Sequence, residues 1–221
     1  MTTPAAATSP PPTEPQPRLG PVGTFVDKQV GGLQSRFLRV PQDPGAVAAL
    51  ARMRRAVGKE PGEIMDVLEY TFTPALLNGH PADDPNPSPA ERAAHVAITL
   101  FALHQQSRGE RMHHRGRGLG TALRRLHTGS SAIPDPIVRR FRMLGTADSF
   151  GELTHHLRGV VQLLRTASAP LDYGLLAQQL HTWQDDPSRV RMTWGRQFYR
   201  QHRPDTDLGA SADSDTDQTT A

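Results

Sequence analysis

The apolar residues of this chain recur at intervals of three and four, and most such runs follow a helix-start signal. That combination narrows the architecture sharply. A period near 3.6 gathers apolar side chains on one helical face, and no sustained period-two alternation of β-branched residues competes with it. Ser88-Pro-Ala-Glu91 and Ser149-Phe-Gly-Glu152 have the form of capping boxes, in which a hydroxyl and a carboxylate satisfy backbone N–H groups left free by the first turn. Asp43-Pro44, Asp135-Pro136 and Asp186-Pro187 each set an N-cap before an N1 proline.

Stripes follow the caps. Val47, Leu50, Met53 and Val57 follow Asp43, and a short helix is expected from Ile64 to about Tyr70. Ile137, Phe141 and Leu144 follow Asp135, with Gly145 as terminator. Phe150, Leu153, Leu157, Val160, Val161 and Leu164 form the cleanest stripe. Tyr173, Leu176, Leu180 and Trp183 follow Asp172, and Val190, Trp194 and Phe198 follow Asp186. Between Ser88 and about Gln106 the pattern is apolar nearly all round, as in a helix enclosed by others. The expected fold class is all-α: two small helical bundles packed in tandem, 23–128 and 132–203, jointed at 128–136. Residues 1–22, with seven prolines, read as a disordered Pro-rich leader. Residues 204–221, with five Asp and no basic residue, read as a disordered acidic tail.

Charge placement says more than charge total. The whole chain carries a formal +3, but residues 23–203 hold 24 basic and 16 acidic side chains, or +8. From Arg108 to Arg165 eleven arginines face four carboxylates. Three groups stand beside apolar stripes and so point outward. They are Arg54 and Arg55 with Lys59; Arg115, Arg117, Arg124 and Arg125; and Arg139, Arg140 and Arg142 with Arg158 and Arg165. A basic helical surface of this kind suits a polyanion, and nucleic acid is the expected one. Few aromatics lie off the core stripes, so contact with the phosphate backbone is expected rather than base stacking. If roughly six to ten phosphates are engaged, affinity should fall about 10³–10⁵-fold between about 50 and 200 mM salt.

Enzyme readings find little to use. Cysteine is absent, which removes disulfides, thiolate metal sites and a Cys nucleophile. No apolar run reaches the length of a membrane span, and a cytoplasmic location is expected. His113-His114 and His155-His156 are adjacent pairs, and neighbours on a helix point about 100° apart. His95 and His104, nine residues apart, face opposite ways and read as core or boundary residues. No H-E-x-x-H stands anywhere, so no metal ligand, cofactor or catalytic residue is assigned. Gly116-Arg-Gly118-Leu-Gly120 lacks the dinucleotide spacing and a preceding strand. It reads either as a phosphate-binding loop at a helix N-terminus or as a flexible surface loop. A sequence-specific DNA-binding regulator, a metal-dependent nuclease and an inert helical scaffold are the alternatives.

Eight segments in order carry a resemblance. They are Ala51-Arg-Met-Arg-Arg-Ala-Val-Gly-Lys59, Phe101-Ala-Leu-His-Gln-Gln-Ser107, Gly118-Leu-Gly-Thr-Ala-Leu-Arg-Arg-Leu126 and Arg139-Arg-Phe-Arg-Met-Leu144, then His156-Leu-Arg-Gly-Val-Val-Gln-Leu-Leu-Arg165, Leu171-Asp-Tyr173, Thr182-Trp-Gln184 and Trp194-Gly-Arg-Gln-Phe-Tyr199. Together they resemble the small subunit of the type I-E CRISPR Cascade complex, the CasB family. The resemblance implies a non-enzymatic, two-bundle helical subunit present as two copies in an RNA-guided surveillance complex. It implies contacts with the backbone and large subunits, the guide RNA and target DNA. By motif, Arg54, Arg55, Arg124, Arg125, Arg139, Arg140 and Arg158 are the residues it assigns to strand contact.

Overall fold

A computed structural model describes residues 18–127 and 133–200. Among the described residues the chain forms nine α-helices: α1 (Pro21–Phe37), α2 (Pro44–Arg55), α3 (Leu68–Thr71), α4 (Pro89–His104), α5 (Leu119–Arg124), α6 (Asp135–Thr146), α7 (Phe150–Thr166), α8 (Tyr173–Trp183) and α9 (Pro187–Tyr199). Two short 3-10 turns, Met65–Val67 and Pro74–Leu76, flank α3. The fold is all-α. Its one β feature among these residues is an isolated parallel bridge between His113 and Leu171.

Helix α4 lies at the centre, against α1, α2, α3, α7 and α8. Its start is the full capping box that the sequence predicts: Glu91 N–H donates to Ser88 Oγ at 3.1 Å, and Ser88 N–H to Glu91 Oε2 at 2.6 Å. Small side chains then let neighbours come close. Ala90, Ala93, Ala94 and Ala97 of α4 are buried, and so are Ala46 and Ala49 of α2. Val47 instead points to solvent, 38% exposed, because the alanine face of α2 and not its valine edge meets the core.

Two glycine contacts join the halves of the sequence. Gly23 of α1 and Gly174 of α8 face each other so closely that a Cβ on Gly23 would lie 2.8 Å from the Gly174 carbonyl oxygen. Gly120 of α5 meets the Trp194 carbonyl of α9, with the Phe198 nitrogen 2.9 Å from where its Cβ would be. The elements of the two expected bundles therefore share one continuous core, running from Val22 through Ile98 and Leu157 to Phe198. Of the expected joint at 128–136, residues 128–132 lie outside the described residues, and α6 already begins at Asp135.

Several local expectations need correction. The chain is already structured ahead of residue 23, since α1 starts at Pro21 and Val22 is buried. No helix was expected there, because Gly23, Gly31 and Gly32 dilute the Val22, Val26, Val30, Leu33 stripe. Gly145 does not terminate α6, which runs on to Thr146. Asp135 is the first helical residue there, and Pro134 holds the cap position. At α7 only half of the second capping box forms: Ser149 Oγ accepts from Glu152 N–H, but Glu152 Oε2 accepts from Asp148 N–H at 2.9 Å.

One substitution made at two places tests the α1–α8 crossing. Gly32, with open space around it, should gain about 0.5–1 kcal/mol on Gly32→Ala, because alanine has the better helix propensity. Gly23→Ala should cost about 1–3 kcal/mol by overpacking against α8. Urea unfolding of both variants measures the difference, and equal effects would contradict the crossing.

Candidate nucleic-acid interface

The segment between α4 and α5 contains the Arg/His/Gly run, and it is tightly held. Gln105 Nε2 donates to the Arg108 and Glu110 carbonyls at 2.9 and 2.8 Å, while Gln105 Oε1 accepts from Met112 N–H at 3.3 Å. Buried Gln34 of α1 brackets His113 from both sides, accepting its N–H at 2.7 Å and donating to its carbonyl at 3.1 Å. Leu171 N–H donates to the Met112 carbonyl and His114 N–H to the Leu171 carbonyl. The backbone groups of a loop crossing the interior must be satisfied. Here two glutamines and a bridge do it.

These bonds also bear on both readings of the glycine run. Gly116 N–H donates to Asp172 Oδ2 at 2.7 Å, Arg117 N–H to the His114 carbonyl, Gly118 N–H to the Gly116 carbonyl and Gly120 N–H to Gln197 Oε1. A phosphate would find these donors engaged, one of them by the protein's own carboxylate. The run is neither a phosphate cradle nor a loose loop.

Asp172 also caps α8, accepting from Leu175 N–H at 2.9 Å. With Asp27 and His113 it makes the one group among the described residues with the composition of a metal site, its ligand atoms within 4.8 Å of one another. Spacing could not reveal this group, since its members are far apart in sequence. Its hydrogen bonds already account for it. Tyr173 N–H can only donate, so His113 Nδ1 accepts and the proton sits on Nε2, which donates to Asp27 Oδ1 at 3.1 Å. Burial holds the His113 pKa below its ordinary value, which favours that neutral ring. Arg115 stands 3.5 Å from the same Asp27 oxygen. The trio ties α1, the loop and α8 together.

The predicted cations fall into distinct settings. Arg55 pairs with Asp66 at 4.0 Å and Lys59 with Glu63 at 3.3 Å, both exposed. Such pairs contribute about 0–1 kcal/mol and give way easily to a polyanion. Arg115 is turned towards Asp27, and Arg117 is half-buried beside it in sequence. At the end of α5, Arg124 donates to the His127 carbonyl at 2.8 Å and Arg125 is exposed. Arg139, Arg140 and Arg142 are exposed on α6, and none forms an ion pair with a described residue.

Several guanidiniums lie along α7. Arg140 reaches across from α6 to lie over Gly159, where an added Cβ would come within 2.7 Å of its Nη1. Arg158 is next along the chain, and Arg165 lies two helical turns further on the same face. Arg165 Nη1 donates to Gln106 Oε1 at 3.1 Å, and Arg108 Nη1 to Ser168 Oγ at 3.2 Å. Burial first, and then the charge of Arg165, hold the Arg54 pKa below its usual value. Arg54, Arg108 and Arg165 have no carboxylate partner among the described residues. Lys59, Glu60, Arg92, His155 and Arg158 line a groove of about 460 Å³ between the end of α2, α4 and α7, where Arg92 pairs with Glu60 at 3.7 Å. The sequence reading counted Arg108 in the arginine-rich segment but assigned neither it nor Arg92 to a contact group. Arg92 is the one Lys or Arg in the largely apolar helix α4, and that contrast is the signal it left.

The model of the family described as CRISPR-associated protein Cse2 matches residues 49–199. The chain belongs to the Cse2 family. This Cse2-family chain is 42% identical to CasB from Thermobifida fusca, whose crystal structure superposes with a TM-score of 0.69 over 82% of this chain and 99% of that one. CasB from Thermus thermophilus, 24% identical, has the same fold at a TM-score of 0.60 over 82% and 99% of the two chains. So does a chain from a structure described as a CRISPR RNA-guided surveillance complex, 20% identical, at 0.62 over 81% and 94%. No curated protein matches by sequence. No helix among the described residues is long and apolar enough to cross a membrane.

Beneath this Cse2-family surface lies a titrating core. His104 is buried with Nδ1 2.9 Å from the Tyr173 hydroxyl. Burial first, with Arg108 and Arg165 adding to it, lowers its pKa from 6.5 to about 4. The unfolded chain therefore binds more protons between those two values, so stability falls as pH drops from 6.5 towards 4. His104→Gln retains a partner for the Tyr173 hydroxyl but takes up no proton. Its acid loss between about pH 7.5 and 4.5 should be smaller by about 2–3 kcal/mol. His95 and His113, also lowered by burial, keep part of the slope. Urea unfolding at the two pH values checks it; an acid limb as steep as the parent's would contradict a neutral buried imidazole.

Proposed function

We propose that this chain is a non-catalytic subunit of a cytoplasmic CRISPR RNA-guided surveillance complex, and that its basic face holds the target DNA and the displaced strand while guide RNA pairs with its target. The observation that carries this reading is the grouping of Arg54, Arg108 and Arg165 with no carboxylate partner among the described residues, with Arg140 over Gly159 and Arg158 at the neighbouring position of α7. Like charges brought together at the edge of a core destabilise the free protein, and a polyanion relieves them. Arg139, Arg142, Arg124 and Arg125 extend the face, while Arg55 and Lys59 join it by exchanging surface carboxylates for phosphates.

A sequence-blind face suits that task. Strand exchange between duplex DNA and an RNA–DNA hybrid is close to balanced, so contacts with phosphates can tip it while base pairing supplies the specificity. The partners in this reading are the backbone and large subunits of the complex, a second copy of this chain, guide RNA and target DNA. No step of bond making or breaking is assigned to it.

Charge reversal tests the reading in the assembled complex. Arg139→Glu, Arg140→Glu and Arg158→Glu together should raise the dissociation rate of target DNA about ten- to a hundredfold at roughly 100 mM salt, through lost phosphate contacts. Guide-RNA loading should be unchanged. An unaltered dissociation rate would remove these residues from the interface.

A further inference from the structure

The groove between the end of α2, α4 and α7 is built differently from the rest of the basic surface. Arg139, Arg140 and Arg142 stand exposed along α6, whereas here cations and apolar side chains share one concave space of about 460 Å³. That volume falls within the roughly 300–1,000 Å³ of pockets that enclose small organic ligands. Val57, Val96 and Phe150 supply apolar lining, and Lys59, Arg92 and Arg158 supply charge. His95 also belongs to the lining, although it is only 1% exposed. Neither of its ring nitrogens has a hydrogen-bond partner among the described residues, nor does Arg92 Nε, whose ion pair with Glu60 is long at 3.7 Å. Burial holds the His95 pKa below its ordinary value, against the pull of the Ala56 and Lys59 carbonyls and of Glu60 and Glu63. Buried polar atoms left without a partner are rare in folded proteins, and each asks what else supplies the bond. Helix α7 adds its N-terminus. Ser149 Oγ takes the Glu152 N–H, while Phe150 and Gly151, both in the lining, open the helix with N–H groups that have no acceptor within it. A Cβ on Gly151 would meet nothing within 4 Å.

We infer that this groove takes a single nucleotide unit, its base against Val57, Val96 and Phe150 and its phosphate among Lys59, Arg92, Arg158 and the first turn of α7. This adds a base contact to a face otherwise read as gripping phosphates alone. The charge balance suits the phosphate, since three cations face the one carboxylate of Glu60, whose side chain is 64% exposed and free to swing aside. The positive end of the α7 dipole favours the same ligand. Acceptors on the phosphate and the base give His95 and Arg92 the partners that the protein itself does not. Stacking on Phe150 introduces no preference for sequence, because every base has a π-face. A paired base is turned into its duplex and cannot enter. An unpaired unit of a strand and a free nucleotide share the required chemistry.

The test uses the full-length chain and three probes: a single-stranded oligonucleotide, an abasic strand of the same length and charge, and thymidine monophosphate. At roughly 100 mM salt the ordinary strand should bind about five- to a hundredfold more tightly than the abasic one, the range expected for one stacked base. Gly151→Leu places a side chain in open space and favours the helix over glycine. It should bring the ordinary strand down to the abasic affinity while leaving resistance to urea undiminished. A penalty for the abasic strand that Gly151→Leu abolishes assigns the unit to a strand. No such penalty, with thymidine monophosphate shifting the amide signals of Phe150 and Gly151, assigns it to a free nucleotide. A penalty that persists in Gly151→Leu places the base contact elsewhere and overturns the groove. Equal affinity of the two strands, with amide signals that move for inorganic phosphate alone or not at all, overturns the nucleotide site and leaves the phosphate-gripping face standing. Failure of both strands to bind overturns that face, and the shifts caused by thymidine monophosphate then decide the groove by themselves.

Discussion

Everything in this fold hangs on satisfying one stretch of buried backbone. Met112 and His113 cross the interior between α4 and α5, where each unpaired N–H or C=O would cost about 1–3 kcal/mol. Gln34 of α1, Gln105 at the end of α4 and the Leu171 backbone ahead of α8 supply the partners. Those bonds hold three helices in register, and the Gly23–Gly174 contact lets α1 and α8 close upon them. Asp172 adds a second lock by capping α8 and accepting the Gly116 N–H at once. A network of this kind rigidifies only when every member is paired.

That rigid centre is what allows cations to gather at the edge. Arg165 and Arg108 are tethered by neutral partners, Gln106 and Ser168, which orient the guanidiniums without cancelling their charge. Carboxylates in the same places would have stabilised the free protein and left nothing for a ligand to gain. Their influence reaches inwards as well, since both arginines help to hold buried His104 neutral. The exposed pairs at Arg55 and Lys59 behave differently, because solvent screening leaves them weak and exchangeable. The proposed face thus combines fixed cations with cations whose carboxylate partners are weakly held.

Much of this was legible in the sequence. The caps at Asp43, Ser88, Asp172 and Asp186 and the stripes of α7, α8 and α9 read correctly because capping and period are local. Helix α1 was missed because its three glycines lower local propensity, and one of them is there for a contact with Gly174 that no local pattern announces. Gly116-Arg-Gly-Leu-Gly120 was open to two readings for the same reason, since the carboxylate that engages it stands at Asp172. The exposed arginines of α6 followed from helical spacing. The meeting of Arg54 with Arg165, and the part played by Arg92 and Arg108, needed three dimensions.

The claim that phosphates settle on the α6–α7 face is open to direct footprinting. Arginine-selective modification of the assembled surveillance complex, mapped by mass spectrometry with and without target DNA, reads the environment of each guanidinium separately. Arg54, Arg108, Arg140, Arg158 and Arg165 should become protected when DNA is loaded, while Arg36, engaged with Asp43, reacts equally in both states. Unchanged reactivity at the first five, with protection appearing elsewhere on the chain, would contradict the account.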